Sequence, residues 1–126
     1  MQISNPIAPR LTGTEFAEAR LEDCVFTDVK FDHAGFRFAQ FKRVRFENCN
    51  LRQADFSNAK FTQVNLTGCD LEATDFTSAQ CREMDITSED ITQAKGILGL
   101  KGATISDSQL LQIAPLLAAE LGFHIA

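Results

Sequence analysis

Tryptophan and tyrosine are absent from the 126 residues, while phenylalanine occurs eleven times. None of the eleven phenyl rings carries a polar handle, so each is either buried whole or left as bare apolar surface. No apolar run approaches the roughly 20 residues of a membrane span, and Met1–Arg10 has neither the basic nor the apolar stretch of a secretory leader. A cytoplasmic protein with no membrane segment is expected. The four cysteines contain no C-x-x-C pair, and His33 and His124 lie far apart, so no metal-ligand spacing is present. Gly-rich phosphate loops and Ser/His/Asp or Cys/His arrangements are also missing. No catalytic residue, cofactor or metal is therefore expected, and the chain does not read as an enzyme. A net charge of −5 and a pI near 4.9 disfavour direct binding to nucleic acid or anionic lipid. What remains, 44% hydrophobic and 23% charged, is the composition of one globular domain.

What the chain does have is a period. Stepping by five from Phe16 to Ile91 meets an apolar residue at every position and takes in nine of the eleven phenylalanines. The row from Thr14 to Glu89 is filled by Ala, Val, Cys and Thr until Met84 and Glu89 interrupt it. The other three rows are polar. Five residues advance a helical side chain by about 140°, so no helix buries these rows on one face. A chain that turns a small and a large apolar residue inward every five residues winds around an axis, and four units close a square coil of about 20 residues. Coils then stack at the strand spacing of about 4.8 Å.

The units "ADFSN", "AKFTQ", "VNLTG", "CDLEA" and "TDFTS" match an A(D/N)LXX pattern, and the chain from Leu11 to Lys95 resembles the pentapeptide-repeat family. That resemblance implies a mainly β fold, a right-handed quadrilateral β-helix of about four coils, usually bacterial and generally without catalysis. Residues twenty apart then lie above one another. One side stacks Phe16, Phe36, Phe56 and Phe76, and the next stacks Leu21, Phe41, Phe61 and Cys81. The third stacks Phe26, Phe46, Leu66 and Ile86, and the fourth Phe31, Leu51, Leu71 and Ile91. Cys24, Cys49 and Cys69 fall in the small inward row and Cys81 in the large one, so all four thiols are expected to be buried and reduced.

The chain divides into an N-terminal cap (1–10), the solenoid (11–95), a Gly-rich loop with a last repeat unit (96–105) and a C-terminal helical cap (106–126). Ser106–Gln109 reads as a capping box, and Leu110, Ile113, Leu117 and Leu121 recur at helical spacing toward the open coil. Pro115 predicts two short helices, the second opening at Pro115 and ending at Gly122. Leu111, Leu116 and Phe123 are left on other sides, which predicts a homodimer through the C-terminal helices.

The walls differ in charge. Arg20, Lys42, Arg43, Lys60 and Arg82 against Glu22, Asp23 and Glu83 leave the second wall at +2, while the first is −3 and the third and fourth −2 each. Asp55 and Asp75 belong to the first wall and Asp70 and Asp90 to the fourth. Together with Phe38, the outward phenylalanine of the repeat, they are the candidate partner surface. Two functions follow from the resemblance. One is a rigid protein-interaction scaffold with an unspecified target. The other is a DNA-mimicking modulator of DNA gyrase, as in the quinolone-resistance branch of the family. About 20 Å of duplex carries about twelve charges against −5 on these four walls, and no loop interrupts the repeats. The scaffold reading is therefore preferred.

Overall fold

The computed structural model describes Gln2–Ile3 and residues 10–126. The expected N-terminal cap, 1–10, lies outside the described residues except at Arg10 and at β1 (Gln2–Ile3), whose backbone pairs in parallel with Val25 and Phe26. The chain coils through β2 (Arg20–Thr27), β3 (Gln40–Glu47), β4 (Lys60–Thr67), β5 (Gln80–Arg82), β6 (Met84–Asp85) and β7 (Ala103–Thr104), then ends in α1 (Asp107–Glu120). Every strand pair is parallel, and from β2 to β5 the register is twenty residues, as in Leu21↔Phe41↔Phe61↔Cys81. The other corners repeat that spacing through single bridges such as Gly35↔Asp55↔Asp75↔Lys95. The result is a β-solenoid of about four turns with one terminal helix.

The corners explain how one short unit can do this. From Gly13 to Glu83 every fifth residue has a positive φ, between 54° and 68°. On the first and fourth sides these residues hold the third position of a four-residue turn, closed by bonds such as Ala39 N–H to the Phe36 carbonyl at 3.1 Å and Ala34 N–H to the Phe31 carbonyl at 2.9 Å. Thirteen of the positive-φ residues are not glycine, although each adopts a region that L side chains rarely visit. They stay there because the ladder on either side fixes the chain. The His33 N–H donates to the Arg52 carbonyl at 2.9 Å, for example, and the Asn58 N–H to the Thr77 carbonyl at 2.9 Å.

Inside, the expected ladders form. Phe16, Phe36, Phe56 and Phe76 stack with centroids 5.0, 4.9 and 5.6 Å apart and planes within 10° of parallel. Phe41 and Phe61 repeat this at 5.1 Å, and Phe26 stacks on Phe46 at 5.2 Å with the planes 27° apart. Rings on adjacent sides meet edge to face, as Phe26 does with Phe31 at 5.3 Å. Offset and edge contacts are the two favourable arrangements for aromatic pairs, and the square coil supplies both.

The C-terminal end departs from the expectation in two ways. First, α1 is one helix, with Pro115 inside it. The carbonyl that loses its donor is that of Leu111, whose side chain is 78% exposed, so water can take the vacant place and the helix runs on. It ends as expected at Gly122, whose N–H donates to the Ala119 carbonyl while the Phe123 N–H donates to that of Ala118, a Schellman motif. Second, the face laid on the solenoid is Gln109, Ile113 and Leu117, while Leu110 and Leu121 are exposed. The capping box at Ser106 forms, and it seats Gln109 rather than Leu110 over the coil. Before the helix, a 3-10 turn (Ile97–Leu100) buries Ile97 and Leu100. Gly99 is required there, since a Cβ would sit 1.7 Å from the Phe76 carbonyl oxygen. Among the described residues, no helix is long and apolar enough to cross a membrane.

Cys24, Cys49 and Cys69 are buried, but Cys81 is only half-buried, which corrects the expectation for that thiol. It lies on the last full coil, where the 3-10 turn covers it incompletely and its Sγ donates to the Gly99 carbonyl at 3.4 Å. Burial pushes the Cys81 thiol up to about 11, which leaves little thiolate at neutral pH. The Cys69 thiol is also raised, first by its hydrogen bond with Cys49 and then by burial. At pH 8 a thiol reagent such as Ellman's should titrate no more than one slow equivalent, from Cys81, and all four cysteines after unfolding. Fast reaction of two or more in the native state would contradict this packing.

Candidate interaction surface

The carboxylates singled out in the sequence start the turns of their walls. The Oδ1 atoms of Asp55, Asp70, Asp75 and Asp90 accept hydrogen bonds from the backbone N–H groups of Ser57, Glu72, Thr77 and Thr92 at 2.9–3.1 Å. Asp85 does the same with Thr87 at 2.9 Å. A side chain that bonds its own backbone two residues on builds an Asx turn, the reason Asp and Asn recur at this position. The hydroxyls of Thr77 and Thr92 add bonds of 2.6 Å to Asp75 and Asp90. Asp90 is held below the usual carboxylate range by the Thr92 hydroxyl and then its N–H. Asp85 is held low by the Thr87 N–H and then its hydroxyl. Both pKa values fall on folding, so their contribution is present above the ordinary carboxylate pKa and is lost as pH drops through the lowered value.

The coils bring Asp55 directly over Asp75, while Asp70 and Asp90 sit on a different wall. The acidic walls are partly neutralised. Arg37 approaches Asp55 at 3.8 Å, Arg52 reaches Asp70 at 3.7 Å and Glu72 at 2.7 Å, and Arg45 pairs with Glu47. These are surface pairs, with Glu47 the one partly buried partner, and exposed pairs are worth at most about 1 kcal/mol each. The four carboxylates are thus tied into the turns, and Phe38 stands apart from them, at the corner next to the second wall, 52% exposed.

Leu111, Leu116 and Phe123 are exposed on the outer side of α1 and its C-terminal turn, at 78, 38 and 68%. Leu110, Leu121 and Ile125 join them, so the apolar area at this end is larger than the three residues named from the sequence.

One site residue escaped sequence reasoning. Glu89 is 4% exposed, and its carboxyl accepts from the backbone N–H groups of Gly68 at 3.0 Å and Cys69 at 2.9 Å. Gln109 meets it from above, donating from Nε2 to the backbone carbonyls of Ile86 at 2.6 Å and Glu89 at 2.7 Å. The signal was visible as the one acid in the small inward row. Among the described residues, no group of three or more His, Cys, Asp and Glu is placed to hold a metal ion.

A family model described as "Pentapeptide repeat region" matches residues 8–76 and, in a second overlapping match, 39–112. No curated protein sequence matches. Similar solved structures include a pentapeptide repeat protein from the cyanobacterium Cyanothece 51142, with 17% identity, a TM-score of 0.40, and coverage of 74% of this chain and 60% of that one. QnrB1, a plasmid-mediated fluoroquinolone resistance protein, is 21% identical with a TM-score of 0.36, covering 89% and 72% of the two chains. A pentapeptide repeat protein of the Arabidopsis thaliana thylakoid lumen is 20% identical with a TM-score of 0.36, covering 82% and 77%. The present chain thus spans about 60% of the length of the cyanobacterial structure.

Proposed function

This chain belongs to the pentapeptide-repeat family, and from that premise we propose that it acts as a non-enzymatic, rigid scaffold for another protein. The observation that carries this reading is the division of labour in the coil. The interior is packed with phenylalanine and small residues, while the polar rows stand at fixed spacing on flat walls held by the in-register ladder. Such a surface enters binding already ordered, so little conformational entropy is lost on docking. The alternative, a DNA-mimicking modulator of DNA gyrase, would use the walls of Asp55, Asp75, Asp70 and Asp90, where Arg37 and Arg52 already offset part of the charge. A photo-crosslinking amino acid placed in turn on each wall in living cells tests the reading. Capture of one protein from one wall, reproduced with the purified pair, is expected. Gyrase captured from the acidic walls would replace the scaffold by the mimic, and no wall-specific product would refute both.

The exposed apolar end of α1 supports a homodimer. Leu111, Leu116 and Phe123 point away from the coil, and a twofold contact between identical caps would remove them from water. Light scattering should give a dimer at micromolar concentration, and the double variant Leu111→Asp, Phe123→Asp should be a folded monomer. A monomeric parent protein would end this proposal.

A further inference from the structure

The fold does not call for a phenylalanine at position 38. Its ring is 52% exposed, at a corner with φ 60°. Its backbone N–H makes the same coil-to-coil bond as other corners, to the Ser57 carbonyl at 3.1 Å, and Asn58 fills the equivalent position one coil on with φ 60°. Twelve other non-glycine residues share the corner conformation, so it is the exposed ring, which the ladder does not need, that points to a use outside the fold.

Its neighbours give that use a charge. Arg20, Gln40 and Lys60 stack in register on adjacent coils, with Lys42 beside them. A surface cleft of about 460 Å³ lined by Phe38, Arg20, Gln40 and Lys60 continues into one of about 130 Å³ that shares the last three and adds Lys42. Arg37, Arg43, Arg45 and Arg52 each engage a carboxylate, but Arg20, Lys42 and Lys60 have none within 4 Å among the described residues. Glu18 and Glu22 line the same clefts, so the three cations leave a local excess of +1 beside the exposed ring, on a molecule that is −5 overall.

We propose that this groove docks an acidic segment of a partner protein, with carboxylates at Arg20, Lys42 and Lys60 and one apolar side chain against the Phe38 ring. The inference rests on the scaffold reading and adds to it the wall and the chemistry of the partner. A long polyanion fits less well. Three cations on three coils cover about 10 Å, Glu18 and Glu22 line the two clefts, and acidic walls begin around the corners. That distance is close to one Debye length of about 8 Å at physiological salt, so a duplex would meet repulsion as well as attraction.

The probes are a fluorescein-labelled peptide SDDFDS, its serine analogue SDDSDS, and an oligothymidylate of similar charge. Each is titrated into the full-length protein by anisotropy and by amide NMR. Shifts should be confined to the segments around 18–22, 38–42 and 58–62. The pair Lys42→Glu, Lys60→Glu should weaken the peptide about ten-fold or more, a loss of about 1.4 kcal/mol or more. Phe38→Asn should weaken the phenylalanine peptide several-fold and leave the serine analogue unchanged. All three substitutions are on exposed side chains, and circular dichroism verifies folding. No shifts at millimolar peptide, or shifts on another wall, would overturn the proposal. Tighter binding of oligothymidylate than of peptide would replace it with a nucleic-acid site. A partner cross-linked only to an acidic wall would leave the scaffold standing and this groove refuted.

Discussion

Glu89→Leu is expected to destabilise the protein by about 2–4 kcal/mol, although leucine suits the buried position in size. The carboxyl receives the N–H groups of Gly68 and Cys69, both at a coil that has no full repeat above it. One coil back, the Asn48 N–H, equivalent to that of Gly68, donates to the Thr67 carbonyl at 2.8 Å. Glu89 takes the place of that absent carbonyl. An orphaned buried donor costs about 1–3 kcal/mol. Leucine would orphan the buried Cys69 N–H and take the partner from Gly68, an exposed residue where water offsets part of the loss. Glu89→Gln keeps one acceptor and should lose about half as much. At roughly 3–5 °C per kcal/mol for a chain of this length, the leucine variant should melt about 6–20 °C lower by calorimetry. Amide exchange at Gly68 and Cys69 should rise with it. A fall in Tm of under about 3 °C would show that the solenoid terminates by other means.

Phe56→Ala should be at least as damaging, for a different reason. Phe56 lies between Phe36 at 4.9 Å and Phe76 at 5.6 Å and meets Phe41, Phe46 and Phe61 at its edges. Alanine would leave a hole that the ladder cannot close, because the backbone on both sides is fixed at strand spacing. Phenylalanine truncation in a core costs about 3–5 kcal/mol. Phe16→Ala is the internal comparison. That ring is half-buried and stacks on one side only, so its loss should cost about half as much. Equal losses in urea melts of the two variants would argue against a ladder whose middle is its strongest part.

The ladders were legible because a period of five in the sequence maps directly onto inward and outward positions. Every row assignment from Phe16 to Ile91 depended only on that count. The end of the solenoid was less legible, because there the contacts join residues that no period relates. Gln109 looked like the N3 partner of Ser106 and is that, yet its amide also closes two carbonyls twenty and twenty-three residues back. Seating it shifted the helix face by one residue from the apolar stripe read in the sequence. Pro115 misled for a related reason, since breaking a helix depends on whether the freed carbonyl faces protein or water. Phe38 and the cations beside it could be placed on their rows from the count, but the groove they share depends on side-chain directions at a corner.

The twenty-residue register also governs how the chain reaches this form. Each coil closes a loop of one fixed length, so the entropic cost of adding a coil is nearly constant along the molecule. A separation of twenty in a chain of 126 residues, roughly 0.16 of its length, falls in the range of β-proteins that fold in milliseconds to seconds. The two ends then differ in kinetics. At one, the Glu89–Gln109 plug and α1 hold the last coil shut. At the other, Leu11, Phe16 and Leu21 are only half-buried. Loss of structure should therefore start at the Leu11–Leu21 coil and travel toward the helix, and refolding should close that coil last.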